Sequence, residues 1–214
     1  MKTPRERFGF FNRDNKADIP VISMDTLMRS ATTSLRVNHF LGGQLAARRL
    51  IQGKCTRALQ IIGNPLARTD AQLRHQAFFQ EMSMAGIPCI SVPIPQEHDY
   101  DSAFYSSVVQ SIFEMYPGVD AFFGTDLYVM EILKQAQKLG FSIPDDIQVI
   151  AYDGSSITDV SFPRLTVIRQ PYEMIANAIV EVTQRLVNGE NVEPEIIFDD
   201  IALIEGETTS PRGL

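Results

Sequence analysis

The chain reads as an α/β protein with doubly wound, mainly parallel sheets, and three observations predict it. Short apolar runs alternate with amphipathic runs of helical length from residue 19 onward. The runs at 148–152 and 165–169 are near-continuous apolar, buried-strand patterns, each ending in polar residues. Gly86, Gly140 and Gly189 each close an amphipathic run, where a helix needs a residue tolerant of left-handed backbone. Strands separated by helices imply βαβ units, and right-handed crossovers place helices on both sheet faces.

Residues 19–24 read as a strand ending at Asp25, and 42–51 as a helix with Leu45, Ala46, Arg49 and Leu50 at helical spacing. A strand at 57–63 follows, then a helix at 70–85 with Thr69 or Asp70 as its N-cap. Strands at 87–92, 119–124, 148–152 and 165–169 alternate with helices at 102–115 and 126–139. A last helix at 174–187 turns Ala176, Ile179, Val180, Thr183 and Leu186-Val187 inward, and 196–204 is a final strand. Residues 26–36, 95–101 and 154–163 interrupt this rhythm; in such folds loops of this kind border the ligand crevice.

Composition narrows the function classes. Hydrophobic content of 44% with 21% charge is that of a globular chain able to bury a core. A net charge of −7 argues against unaided binding to DNA or an anionic membrane. The basic cluster Arg48, Arg49, Lys54 and Arg57 reads as a solvated helix face. Cys55 and Cys89 lack metal-type spacing; Cys89, in an apolar run, reads as a buried hydrophobe, and a reducing cytoplasm fits. No signal segment or membrane span is seen.

An enzyme is not expected. No GxGxxG, GxxxxGK[ST] or GxSxG occurs. His39, His75 and His98 form no ligand pair and read as surface or loop histidines. Neither Asp145-Asp146 nor Asp199-Asp200 suits an acid/base dyad, because sequence neighbours on a strand face apart. No metal or cofactor is expected.

Binding is the stronger reading. Asp25, Thr125, Asp126, Asp153 and Gln170 fall at strand ends, and Arg74 falls early in a helix. In open α/β sheets ligands sit beyond the carboxyl ends of the strands. Carboxylates, amides and guanidinium groups are the side chains that hold vicinal hydroxyls with paired hydrogen bonds. Asp126 reads equally well as the N-cap of its helix, and Asp153 as a turn residue before Gly154.

The order of several motifs resembles the effector-binding core of the LacI/GalR family of bacterial transcription regulators, over 19–209. The carrying residues are Ile19-Pro20-Val21-Ile22-Ser23-Met24-Asp25, the run Asn38 to Leu50 with Gly42-Gly43, Arg74 with Ala77-Phe78, Ala121-Phe122-Phe123-Gly124-Thr125-Asp126, Gly140 to Asp146, Tyr152-Asp153 and Pro163-x-Leu165-Thr166. Asn38, Thr125, Gly154 and Gly206 depart from the family's usual Asp, Asn, acid and Arg; Thr125, at a common effector contact, leaves the effector unidentified.

The resemblance implies a two-lobe fold like that of type I periplasmic binding proteins. Residues 38–170 would form the C-terminal lobe, 1–37 and 171–205 part of an N-terminal lobe, and 206–214 a tail. It implies a sugar effector held by Asp25, Arg74, Thr125, Asp126, Asp153 and Gln170, a homodimer, and DNA binding through a helix-turn-helix headpiece that, with the first strands, is expected to be missing from this chain. A sugar-binding transport protein shares the architecture and is the alternative. An incomplete lobe would leave Val21, Ile175, Ile179 and Leu186 exposing apolar surface.

Overall fold

The structure is a computed structural model describing residues 20–25, 31–63, 70–94 and 102–210. Its elements run β1 (Ile22–Met24), β2 (Thr33–Val37), α1 (His39–Gln52), β3 (Ala58–Ile62), α2 (Gln72–Met84), β4 (Cys89–Pro93), α3 (Ser102–Met115), β5 (Ala121–Thr125), α4 (Asp126–Lys138), β6 (Gln148–Asp153), α5 (Ser156–Asp159), β7 (Thr166–Arg169), α6 (Tyr172–Val187), β8 (Glu195–Phe198) and β9 (Ala202–Ile204). The expected α/β class is the class observed. The residues divide into two compact units: a smaller one reaching Val37 and including Asp70 and Pro171–Phe198, and a larger one holding Asn38 onward, Ala71–Gln170 and the residues from Asp199.

The larger unit is built on a six-stranded sheet of order β4-β3-β5-β6-β7-β9, parallel except for β9, which runs antiparallel to β7. Alternate residues of each strand face opposite layers. Leu59, Ile61, Phe122, Val149, Ala151 and Val167 form one core with Val109 and Ile112 of α3 and Val129 and Ile132 of α4. Phe123, Tyr152 and Gln60 belong to the opposite layer, where Phe78 of α2 stacks on Phe123 with ring centroids 4.5 Å apart. Both layers being covered explains the near-continuous apolar runs.

The smaller unit carries a parallel three-stranded sheet, β1-β2-β8. The strand β2 falls inside the expected interruption at 26–36; its inward residues alternate (Thr33, Leu35, Val37), but Thr, Ser and Arg dilute the apolar signal. Ion pairs join Arg36 to Asp70 and to Glu195, so Asp70 is spent on β2 rather than on capping. The N-cap of α2 is Ala71, without a side-chain bond; Thr69 lies outside the described residues.

Other expectations need correcting. The single strand expected at 196–204 is two strands in different units: β8 joins the small sheet and β9 the large one. The expected tail packs in the larger unit, where the Thr208 hydroxyl donates to the Val149 carbonyl at 2.7 Å. Helix α6 buries Ile175 and Val182, not the expected stripe, and leaves Ile179, Val180 and Val187 exposed; Val21 and Leu186 are half-buried. Arg49 is buried and paired with Glu205 at 2.9 Å, so the basic cluster is not simply a solvated face. Cys89 is only half-buried.

Candidate functional site: a carboxylate, an arginine and an amide at the strand ends

The carboxyl ends of the parallel strands in the larger unit bring three of the expected residues into contact. Asp153 is the last residue of β6, and its backbone is turned to a φ of +107°, a region that L residues seldom occupy. Such strain persists only where the surroundings enforce it. Here Gln170, just past β7, donates its backbone N–H to the Asp153 carbonyl at 3.1 Å and its side-chain amide to Asp153 Oδ1 at 2.7 Å. Arg74, in the first turn of α2, reaches the same Oδ1 from NH1 at 3.4 Å. Both donors converge on Oδ1. Among the described residues Oδ2 takes no hydrogen bond from protein and so keeps its capacity to accept.

Arg74 is held on all sides. Its guanidinium carbon lies 4.5 Å from the centre of the Tyr152 ring, within cation–π range. Its Nε–H donates to Nε2 of His75 at 3.3 Å. Its backbone carbonyl abuts Gly43, where an added Cβ would come within 2.0 Å of the Arg74 oxygen. The neighbouring Gly42 performs the same service for Tyr152: a Cβ there would meet the Tyr152 hydroxyl at 2.7 Å. The Gly42-Gly43 pair thus lets α1 press onto both the arginine's backbone and the ring beneath its guanidinium. The Tyr152 hydroxyl is also within 2.7 Å of Nδ1 of His39, the first residue of α1.

Burial pushes the Asp153 carboxyl above the ordinary carboxylate range; Arg74 pulls it back down and Asp126 pushes it further up. Asp126 is itself raised by burial. Asp126 does not cap α4: the N-cap is Thr125, with no side-chain cap bond. Instead the Asp126 carboxylate accepts from the backbone N–H groups of Gly154 and Ser155 at 3.2 and 2.7 Å, and from the Ser155 hydroxyl at 2.6 Å. It latches the loop that follows Asp153. Thr125 ends β5, half-buried and level with Tyr152 in register. Asp25 lies in the smaller unit at the end of β1, with a φ of +47°, and its Oδ1 accepts from Val37 N–H at 3.1 Å.

The histidines correct the sequence reading. His39 and His75 are buried, not on the surface; His98 lies outside the described residues. Burial first, and the Arg74 charge second, push His75 down to about 3, so it is neutral at physiological pH. A signal was available: His75 and Ala77-Phe78 follow the arginine on the helix, and Gln60 interrupts an otherwise apolar strand. Burial also pushes both Cys55 and Cys89 up to about 12, which keeps both thiols protonated at neutral pH. No cluster of three metal-type ligands occurs among the described residues, and none of their helices is long and apolar enough to cross a membrane.

Comparison with known proteins bears on the family and the fold. The periplasmic binding protein-like domain family matches residues 47–209. The HTH-type transcriptional repressor PurR of Yersinia pestis bv. Antiqua (strain Antiqua) is 30% identical over 190 residues, covering 88% of this chain and 55% of the relative; the chain thus spans about half the length of the curated relatives it matches. Among solved structures, a periplasmic binding protein/LacI transcriptional regulator from Alkaliphilus metalliredigens QYMF, complexed with D-xylulofuranose, superposes with a TM-score of 0.80 at 26% identity, over 94% of this chain and 74% of that one. The lac repressor dimer bound to operator and the anti-inducer ONPF superposes at 0.77 with 17% identity, over 91% and 67%, a likeness of fold.

Proposed function

The chain belongs to the periplasmic binding protein-like domain family, in its LacI/GalR effector-binding branch, and from that premise we propose that it binds a small sugar or sugar derivative whose presence controls DNA binding by the whole protein. The observation that carries this is the pairing at the strand ends. Asp153 offers an unspent carboxylate oxygen beside the partly spent guanidinium of Arg74, with Gln170 fixing the carboxylate in place. An acceptor and a donor side by side match two vicinal hydroxyls. Thr125 adds a hydroxyl at the neighbouring strand end, and Asp126 contributes by shaping the loop after Asp153. The sugar complex of the Alkaliphilus relative supports the ligand class.

A thermal-shift panel of pentoses, hexoses and their phosphates, including D-xylulose, tests the reading, because a specific ligand raises apparent stability by mass action. Calorimetry with the best ligand then follows. Asp153→Ala and Arg74→Ala each weaken binding by about tenfold or more, the usual result of removing a charged hydrogen-bond partner. Unchanged affinity in both variants overturns the assignment. We also propose a homodimer, in line with the exposed apolar residues Leu139, Phe141, Val160 and Phe162 in the larger unit. Light scattering that reports a monomer at micromolar concentration refutes it.

A further inference from the structure

We infer that His75 is a positioning residue for Arg74: through a one-way chain of hydrogen bonds from Gln60 it presents a lone pair to the arginine's Nε–H and so sets the direction in which the guanidinium faces a ligand. The inference rests on the ligand reading above, and it assigns a role to a buried layer that touches no ligand itself.

The direction of the chain follows from one group that has no choice. Gln60, buried on β3, places its Nε2 at 3.2 Å from the backbone carbonyl of His75 and at 2.9 Å from the Ser91 hydroxyl on neighbouring β4. A carbonyl can only accept, so the amide nitrogen must face it, and the flipped amide would set two acceptors against each other. The Gln60 carbonyl oxygen is therefore the atom 3.1 Å from His75 Nδ1. That oxygen also only accepts, so Nδ1 carries the proton. A neutral imidazole then has its lone pair on Nε2, which is the atom 3.3 Å from Arg74 Nε. Every donor in the series meets an acceptor, and no second arrangement satisfies all four groups.

The neutrality of the ring is needed as well as its orientation. A protonated His75 would set a second cation against Arg74 and remove the only acceptor for its Nε–H among the described residues. Burial on the Gln60 side of the sheet, against Phe123 at 5.8 Å between ring centroids, keeps the proton off. With Nε tied down, the guanidinium plane cannot rotate about its own axis. One edge is given to Asp153, and the remaining donors have no hydrogen-bond partner among the described residues. Gly43 completes the clamp by holding the arginine's backbone.

Two substitutions separate the two ends of the imidazole. Asparagine at this position keeps a polar group near Nδ1 for Gln60 but supplies no acceptor at the Nε2 position, whereas glutamine reaches that position. His75→Asn and His75→Leu weaken binding of the best sugar of the panel by about tenfold, while His75→Gln stays within about twofold. In an Arg74→Lys background, which lacks the Nε–H, His75→Asn costs nothing further, so the double-mutant cycle shows coupling. A merely structural histidine would lose stability in all three variants with no dependence on Arg74.

A ligand-free measurement keeps the inference testable should every sugar fail, which would overturn the function and not the strut. Nitrogen-15 spectra of the unliganded protein show His75 as the neutral Nδ1–H form, and an Arg74 Nε–H resonance shifted and slow to exchange in the native protein and in His75→Gln but not in His75→Asn. An Nε2–H tautomer, or an Arg74 resonance indifferent to His75, overturns the inference.

Discussion

The two layers covering the six-stranded sheet come from alternate residues of the same strands, yet they are different materials. One layer, with Leu59, Ile61, Phe122, Val149 and Val167 against α3 and α4, is a hydrocarbon core closed off by partly polar aromatics. The other, against α1 and α2, buries Gln60, His39, His75 and the hydroxyl of Tyr152 among Phe78 and Phe123. The first layer holds the sheet together through area removed from water. The second also does so, but it spends part of its volume on oriented hydrogen bonds that lead to Arg74 and Asp153. Substitutions in the first layer therefore change stability alone, and those in the second change stability and recognition together.

The largest effect belongs to the apolar layer. Phe122→Ala removes a fully buried ring and lowers the free energy of unfolding by about 3–5 kcal/mol. Urea denaturation measures this, and the folded fraction keeps its sugar affinity. In the other layer, Gly43→Ala drives a methyl group against the Arg74 carbonyl and costs about 1–3 kcal/mol as overpacking, with a parallel loss of affinity. Retained affinity in a destabilised Gly43→Ala protein would show that the two layers are not functionally distinct.

The third effect is read in pH. His75 is held down to about 3 in the fold against an ordinary value of 6.5, so the unfolded chain binds more protons between those limits. Stability that is present at neutral pH is then lost as the pH falls through that window, by about 1 kcal/mol between about pH 6.5 and 5.5. His75→Gln flattens this dependence. Asp126 and Asp153 act in the opposite sense, because their raised carboxyls favour the fold when protonated and lose that contribution as pH rises above the ordinary carboxylate range. Denaturation midpoints at several pH values check the balance. The smallest effect lies outside both layers: Phe162→Ser, at a side chain 87% exposed, leaves the stability of the subunit within about 0.5 kcal/mol.

Much of the fold was legible in the sequence, and the failures have physical causes. The helix expected at 102–115 matches α3 (Ser102–Met115) end to end, and the strand–helix order of the larger unit held because apolar periodicity and glycine stops reinforced one another. The strand β2 escaped because a three-residue inward face was diluted by Ser34 and Arg36. The break between β8 and β9 escaped because Asp199-Asp200 looked like a polar lapse in one strand rather than a change of sheet. At the site, the positions of Arg74, Asp153 and Gln170 followed from strand and helix ends. The role of Asp126 did not, since its three bonds go to a loop far along the chain. Nor did the burial of His39 and His75: a histidine's address depends on what packs over it, and here that is a helix held close by two glycines.

The left-handed backbone of Asp153 has an evolutionary consequence. Glycine adopts that φ without strain and would bring no carboxylate to be stripped of water, so Asp153→Gly removes two unfavourable contributions at once. Selection for thermal robustness alone would favour that exchange, whereas the proposed ligand binding would oppose it. On the proposed ligand reading, an aspartate at this position trades ruggedness for recognition. A library screened only for heat tolerance would be drawn to substitute the residue proposed to hold the ligand.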